Sequence, residues 1–386
     1  MRRIATALLA LLTLGATLTV GANVAARPGD RIRAALAARM ARDDTAPAFA
    51  TPGETLHYGA DPAQSLTLWR ARGVSGPVAL IVFVHGGGWS RGSKDNATGR
   101  WKAEHFLGEG YAFATIDYRL VPDATVEDEA ADVAHALKAL IDRAASLGID
   151  PARAVLMGHS AGAHLVALVG TDDRYLKNAG LSFGAVVGVI PIDGAAYDVP
   201  AQMADGPGIM QKTYAAAFGT DPARQRALSP TLAARADPFA GGRAPHFLLL
   251  HVQRPDGVRQ AEAFEAALKT AGAPVERAGF DGSGLMGHMT INRRLGDPDY
   301  PATGAVDRWL RRLFSRKHRA RGAVAFSDCA PGRARLSRIC LRKPQDHRWR
   351  AGMPVRSSCP WPGGLQMRPI ARRWRLGPLR SRRRSG

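Results

Sequence analysis

Ala154-Val155-Leu156-Met157-Gly158-His159-Ser160-Ala161-Gly162-Ala163-His164-Leu165-Val166-Ala167-Leu168 is the stretch on which the fold turns. A short apolar run leads into Gly-x-Ser-x-Gly, and an apolar run of helical length leaves it. This pattern predicts a buried strand, a reversal within one or two residues, and a helix. The reversal lifts the Ser160 hydroxyl above the end of a sheet. Gly158 and Gly162 let backbone and neighbouring strands approach closely, and the helix N-terminus behind Ser160 favours developing negative charge. The pentapeptide alone also fits an ordinary glycine-rich turn. Its context, strand before and helix after, makes Ser160 the candidate nucleophile.

Working outward, Val78–Val84 (VALIVFV) is a continuous apolar run suited to a buried strand, and His85-Gly86-Gly87-Gly88-Trp89 follows it. Consecutive glycines leave backbone N–H groups uncovered, as a site that stabilises an oxyanion requires. Gly87, Gly88 and Ala161 are the expected donors, with His85 bracing the loop. A phosphate loop fits poorly, because no Gly-Lys-Ser/Thr ending and no dinucleotide fingerprint is present. Tyr111–Ile116, Ala154–Met157, Ala185–Ile192 and His246–Val252 repeat the strand character, with a short strand-like segment at Val275–Phe280. Helical stretches fall at Thr125–Leu147, Val258–Ala271 and Ala302–Phe314. This alternation predicts an α/β fold, a mostly parallel central sheet with helices on both faces.

A serine nucleophile needs a base, and the base an orienting carboxylate. Where a nucleophile stands on a strand-to-helix elbow, the chain order is Ser, acid, His. His164 lies just behind the serine and should point inward, while His246 and His251 bracket a strand. His288 ends the glycine-rich loop Gly282-Ser283-Gly284-Leu285-Met286-Gly287, ahead of the last helix, and is the expected base. Asp256, between the His246–Val252 strand and a helix, ranks first as the acid. Asp193, at the end of an earlier strand, ranks second, and Asp281 shares the histidine's own loop.

His85-Gly-Gly-Gly-Trp89, Gly158-His-Ser-Ala-Gly162 and the strand ending at Asp256 resemble the α/β-hydrolase esterases related to hormone-sensitive lipase. The closest likeness is to the branch holding bacterial feruloyl-esterase-like carboxylesterases and kynurenine-formamidase-like enzymes. Tyr58-Gly59, Asp117-Tyr118-Arg119-Leu120, Ala217-Phe218-Gly219, Ser229-Pro230 and Ile291-Asn292-Arg293 add to the likeness, which covers about residues 55–315. Val252-Gln253-Arg254-Pro255-Asp256-Gly257 departs from that group's usual Gly-x-x-Asp. The resemblance implies the α/β-hydrolase fold and hydrolysis of small carboxylic esters through an acyl-enzyme, without cofactor. An arylformamidase-like amide hydrolase is the alternative, and a non-catalytic binding protein of the same fold the third reading.

The net charge of +20 suggests a nucleic-acid binder until the chain is divided. From Arg316 to Gly386 there are 20 Lys and Arg against two acids, Asp328 and Asp346, so the preceding body is nearly neutral. Nucleic acid is therefore no expected partner of the body; the tail suits polyanions nonspecifically. An expected ester substrate is the one small-molecule partner, with no stable membrane partner and an unassigned oligomeric state. Residues 1–26, two arginines, an apolar run and small residues, read as an export signal cleaved after Ala26, with an uncleaved membrane anchor as the alternative. Residues 27–45 read as a linker or N-terminal helix and 46–315 as the hydrolase domain. Residues 316–386 read as a disordered Arg/Pro-rich tail, whose composition also fits translation in a shifted frame. All three cysteines, Cys329, Cys340 and Cys359, lie in that tail. Their spacing lacks the paired short intervals of zinc modules, so no metal is expected.

Overall fold

The computed structural model describes residues 52–322 apart from 72 and 241. The expected export signal, the N-terminal helix and the tail beyond 322 lie outside the described residues. Eight strands form one sheet: β1 (Glu54–His57), β2 (Ser65–Trp69), β3 (Val78–Val84), β4 (Ala112–Ile116), β5 (Ile149–His159), β6 (Val186–Ile192), β7 (His246–Gln253) and β8 (Val275–Ser283). Their spatial order is β1-β2-β4-β3-β5-β6-β7-β8. β2 runs antiparallel to β1 and β4, and every pair from β4 to β8 is parallel.

Twelve α-helices connect and cover the strands among the described residues. They are α1 (Lys102–Gly108), α2 (Val126–Asp142), α3 (Ala144–Leu147), α4 (Ala161–Thr171), α5 (Asp173–Asn178), α6 (Val199–Asp205), α7 (Gln211–Phe218), α8 (Pro222–Ala227), α9 (Pro230–Arg235), α10 (Pro255–Thr270), α11 (Gly284–Arg294) and α12 (Pro301–Gly322). The long helix expected over Thr125–Leu147 is two, α2 and α3, parted at Arg143. Thr125 and Asp128 close the start of α2 reciprocally, each side chain taking the other's backbone N–H. Gly148, at φ +68°, ends α3 in the left-handed conformation. The final helix continues past the expected domain end at 315.

Successive side chains of a strand point to opposite faces, and the central strands divide accordingly. Leu80, Val82 and Val84 of β3 join Leu156 of β5 and the apolar faces of α2, α4 and α10 on one side. Ile81, Phe83, Val155 and Met157 join Phe106 of α1 and Trp309 and Leu313 of α12 on the other. Burial on both faces is why these strands read as unbroken apolar runs. The loops that follow β3, β5, β6, β7 and β8 all leave from the carboxyl ends of parallel strands, where open α/β sheets gather their functional groups.

Candidate active site

Ser160 stands between β5 and α4 at φ 57°, ψ −116°. A non-glycine residue in that region stores about 1–3 kcal/mol of strain, held here by the packing on either side. The Ser160 N–H donates to the Ile192 carbonyl at 3.1 Å, tying the turn to β6. A Cβ on Gly158 would collide with the Gly162 carbonyl, and one on Gly162 with the carbonyls of Val84 and His85. Both glycines are thus required by close backbone approach, and Ala161 becomes the first residue of a helix whose leading N–H groups have no intrahelical acceptor.

The His85–Trp89 loop lies directly against this elbow. A Cβ on Gly86 would sit 2.8 Å from the His159 carbonyl and 2.9 Å from Ser160 Cβ. Gly87 and Gly88 take φ +136° and +62°, conformations open to glycine. His85 is buried; its Nδ1–H donates to the Gly86 carbonyl at 2.8 Å, and its ring stacks on Tyr118 at 4.3 Å. Tyr118 in turn donates its hydroxyl hydrogen to the His85 carbonyl at 2.8 Å. Burial holds the His85 imidazole below its ordinary value, so it remains a neutral brace.

His288 Nε2 accepts from Ser160 Oγ at 3.0 Å, and His288 Nδ1–H donates to Asp193 Oδ2 at 2.6 Å. The carboxylate on the imidazole is therefore Asp193, which follows β6, and Asp256 does not bond His288. Asp256 sits at the start of α10 and bonds Gln202 Nε2 at 3.2 Å and Arg254 at 3.5 Å. Arg254, the first residue after β7, reaches the same carboxylate as His288. Its Nε donates to Asp193 Oδ2 at 2.8 Å, and its far nitrogen reaches the carbonyls of Asp193 and Gly194.

Asp193 is 1% exposed, and its Oδ1 accepts from the Val252 N–H at 3.1 Å. Burial pushes its carboxyl upward, but the bonds from His288 and Val252 and the charge of Arg254 outweigh that, and it falls to about 2. A buried, permanently ionised carboxylate fixes the ring so that Nε2 presents a lone pair to the serine.

His288 also lies in a different element from the one expected. It belongs to the second turn of α11, and the glycine loop is reduced to the β8–α11 junction. Gly287 packs on Gly282, leaving no room for a side chain at either, and the helix starts at once. Two further groups hold the ring. The His159 Nε2–H donates to the His288 carbonyl at 2.9 Å, with the two rings 4.4 Å apart. Lys102, fully buried, donates to the Asn292 carbonyl at 2.5 Å, to Asn292 Oδ1 at 2.9 Å and to the Thr98 carbonyl at 2.6 Å. Those three acceptors match its three N–H groups and pin α11 one turn beyond His288.

The sheet of this chain aligns with solved esterases. Esterase B from Lactobacillus rhamnosis superposes with a TM-score of 0.60 at 20% identity, covering 76% of this chain and 97% of that one. Thermogutta terrifontis esterase 2 gives a TM-score of 0.51 at 24% identity, covering 60% and 84%. The chain has the α/β-hydrolase fold. Within that fold, a family model described as BD-FAE matches residues 66–186, from β2 through the elbow to β6. A probable isoprenylcysteine alpha-carbonyl methylesterase, ICMEL1, of Arabidopsis thaliana is 34% identical over 123 residues, 32% of this chain and 25% of that protein. Esterase LipC of Mycobacterium tuberculosis is 33% identical over 143 residues, 34% of each. The matches thus span a quarter to a third of these relatives' length.

An α/β hydrolase needs walls above the elbow, and here residues 195–235 supply them. Thr213 of α7 would lie 2.9 Å from a Cβ on Gly88. Tyr214 and Phe218 pack edge-on to Trp89 at 6.2 and 4.7 Å. His164, buried as expected, bonds the Leu228 carbonyl at 2.8 Å and anchors this segment from below. Arg254, His159 and Lys102 were not singled out from the sequence. Only Arg254 carried a signal there, standing in the segment that departs from Gly-x-x-Asp. No group of three or more His, Cys, Asp or Glu suited to a metal occurs among the described residues.

Proposed function

We propose that this chain hydrolyses small carboxylic esters through an acyl-enzyme on Ser160. The observation that carries the reading is the line of atoms Asp193 Oδ2, His288 Nδ1, His288 Nε2 and Ser160 Oγ, joined at 2.6 and 3.0 Å beside a triple-glycine loop. Ser160 Oγ attacks the acyl carbon as His288 Nε2 takes its proton. The oxyanion is received by the N–H groups of Gly87, Gly88 and Ala161. His288 then gives the proton to the leaving alcohol as the C–O bond breaks. Water, activated by the same nitrogen, attacks the acyl-enzyme and releases the acid and the free serine. Asp193 stays ionised throughout and stabilises the imidazolium.

Esterases recur among the relatives and the superposed structures, which supports the ester over other acyl substrates. Leu285, one helical turn before His288, and Met286 are about half exposed beside the site, which suits an apolar group on the substrate. The N-terminal signal pattern supports an exported enzyme. Hydrolysis of p-nitrophenyl esters from acetate to palmitate, run beside N-formylkynurenine, tests the reading. Turnover of short esters that vanishes in Ser160→Ala is the expected result. Activity that survives Ser160→Ala, or formamide turnover without ester turnover, overturns it.

A further inference from the structure

We propose that Arg254 is a positioning residue that shares the Asp193 carboxylate with His288 and so sets the pH range over which the site works. The proposal rests on the esterase reading of the same site. Both Arg254 Nε and His288 Nδ1 bond one oxygen, Asp193 Oδ2, at 2.8 and 2.6 Å. When His288 takes the serine proton, two cations face one anion inside a buried site. The guanidinium therefore opposes protonation of the ring that Asp193 promotes.

Arg254 is itself held in place from the other side. Asp256 Oδ2 lies 3.5 Å from its Nη1 and accepts from Gln202 Nε2 of α6, and that amide also donates to the Tyr214 hydroxyl of α7 at 3.0 Å. A continuous polar chain thus runs from the segment over the site through Gln202, Asp256 and Arg254 to Asp193. Burial works against the Arg254 charge, but the two carboxylates outweigh it and raise its value. Asp256, the acid expected from the sequence, has this second task.

The other ionisable groups around the ring add little field of their own. His159 is kept neutral by burial and by the neighbouring His288. Tyr197, ahead of α6, Tyr214 on α7 and Tyr300 before α12 are all pushed up by burial and stay protonated. Lys102 of α1, although burial pulls it down, directs its N–H groups to the Thr98 and Asn292 oxygens a turn beyond His288 and is the same in every variant compared. Asp281 on β8 stands exposed, where solvent screens it. Arg254 and Asp256 are the charges left to set the balance at Asp193.

The two residues make opposite predictions. Arg254→Met removes a cation beside the ring, so the imidazolium is favoured and the acidic limb of kcat/KM moves up by about one pH unit. Asp256→Asn removes an anion and leaves Arg254 turned fully on Asp193, so the limb moves down by a few tenths of a unit. Arg254→Lys keeps the charge and restores most of the wild-type limb.

The profiles are measured on p-nitrophenyl acetate from pH 5 to 9. The pH dependence of Ser160 phosphonylation by a p-nitrophenyl phosphonate is measured alongside and needs no turnover. Opposite shifts in the two variants, with rescue by lysine, are expected in both readouts. Should Arg254→Met fold poorly, the downward shift in Asp256→Asn carries the test. Limbs that coincide with wild type, while the wild type turns over ester, overturn the role of Arg254 and leave the esterase reading intact. A wild type that phosphonylates at Ser160 without hydrolysing ester overturns the esterase reading, and the labelling profile still decides Arg254. An unreactive Ser160 overturns both.

Discussion

Replacing Asp193 by Asn separates the carboxylate that bonds His288 from the one ranked first on sequence grounds. The carboxylate accepts three buried hydrogen bonds: His288 Nδ1–H and Arg254 Nε–H on Oδ2, and the Val252 N–H on Oδ1. An amide has one acceptor oxygen. With that oxygen toward His288, the NH2 faces the Val252 N–H, donor against donor. Turned over, the NH2 faces His288 and forces the proton to Nε2, where the ring no longer accepts from Ser160. Leaving one buried donor unmatched costs about 1–3 kcal/mol. Loss of the charge beside a developing imidazolium adds about 3–4 kcal/mol at an effective dielectric near 20. Together, at about 4–7 kcal/mol, these predict a fall in kcat/KM of about 10³–10⁵-fold, a range that includes the loss seen when a triad carboxylate is replaced elsewhere. Asp256→Asn keeps the triad and should remain within about tenfold of wild type. The assay is initial-rate hydrolysis of p-nitrophenyl acetate at pH 8, with circular dichroism to confirm folding. An Asp193→Asn enzyme retaining more than a tenth of the activity, while Asp256→Asn loses a thousandfold, would refute the assignment.

Two further predictions concern stability. Ser160→Gly relieves the strain at φ 57° and should stabilise the fold by up to about 1 kcal/mol after the entropy of the freed backbone, raising Tm above that of Ser160→Ala, which keeps the Cβ; equal melting temperatures would place the strain elsewhere. Acidification should destabilise the domain in two stages. Burial pulls His164 down to about 4, opposed by its bond to the Leu228 carbonyl, so between the ordinary histidine value and pH 4 the unfolded chain binds more protons than the folded one. Stability then falls with pH, by an amount on the order of 3 kcal/mol at this residue, and His85 and His159, shifted the same way, add to it. The contribution of Asp193, held at about 2, is present above the ordinary aspartate range and lost below it. Urea titrations at pH 7.5, 5.5 and 4.5 check this; a flat profile contradicts the buried neutral histidines.

The parts of the site that depend on backbone shape were legible in the sequence. Gly158, Gly162 and the Gly86–Gly88 run are where they are because a Cβ or an ordinary φ would not fit, and such constraints leave glycines in place. Val78–Val84 matched its strand to the residue, because burial on both faces leaves an uninterrupted apolar run with sharp ends. The acid was not legible. Asp193 and Asp256 each follow a strand and precede helical chain, and only the side chain that the fold directs at His288 distinguishes them. Beside Asp193 stands Arg254, a charge within the segment that departs from Gly-x-x-Asp, which lies 14% exposed. Lys102 was hidden for a similar reason: a lysine at a helix start reads as solvated, and its three acceptors come from Thr98 and from Asn292, 190 positions away. β1 and β2 were not marked as strands. They pair antiparallel at the sheet edge, where four-residue and five-residue strands leave little periodicity to read.

The central claim is that Ser160 is a nucleophile driven by His288 and Asp193. Incubation with a p-nitrophenyl alkylphosphonate, followed by intact-mass and peptide-mass spectrometry, tests it most directly. One phosphonyl group per chain, located on Ser160, formed in step with loss of ester hydrolysis and slowed at least a hundredfold in His288→Ala and Asp193→Asn, is the predicted result. Labelling at another residue, or ester hydrolysis that continues once Ser160 is fully labelled, would contradict it.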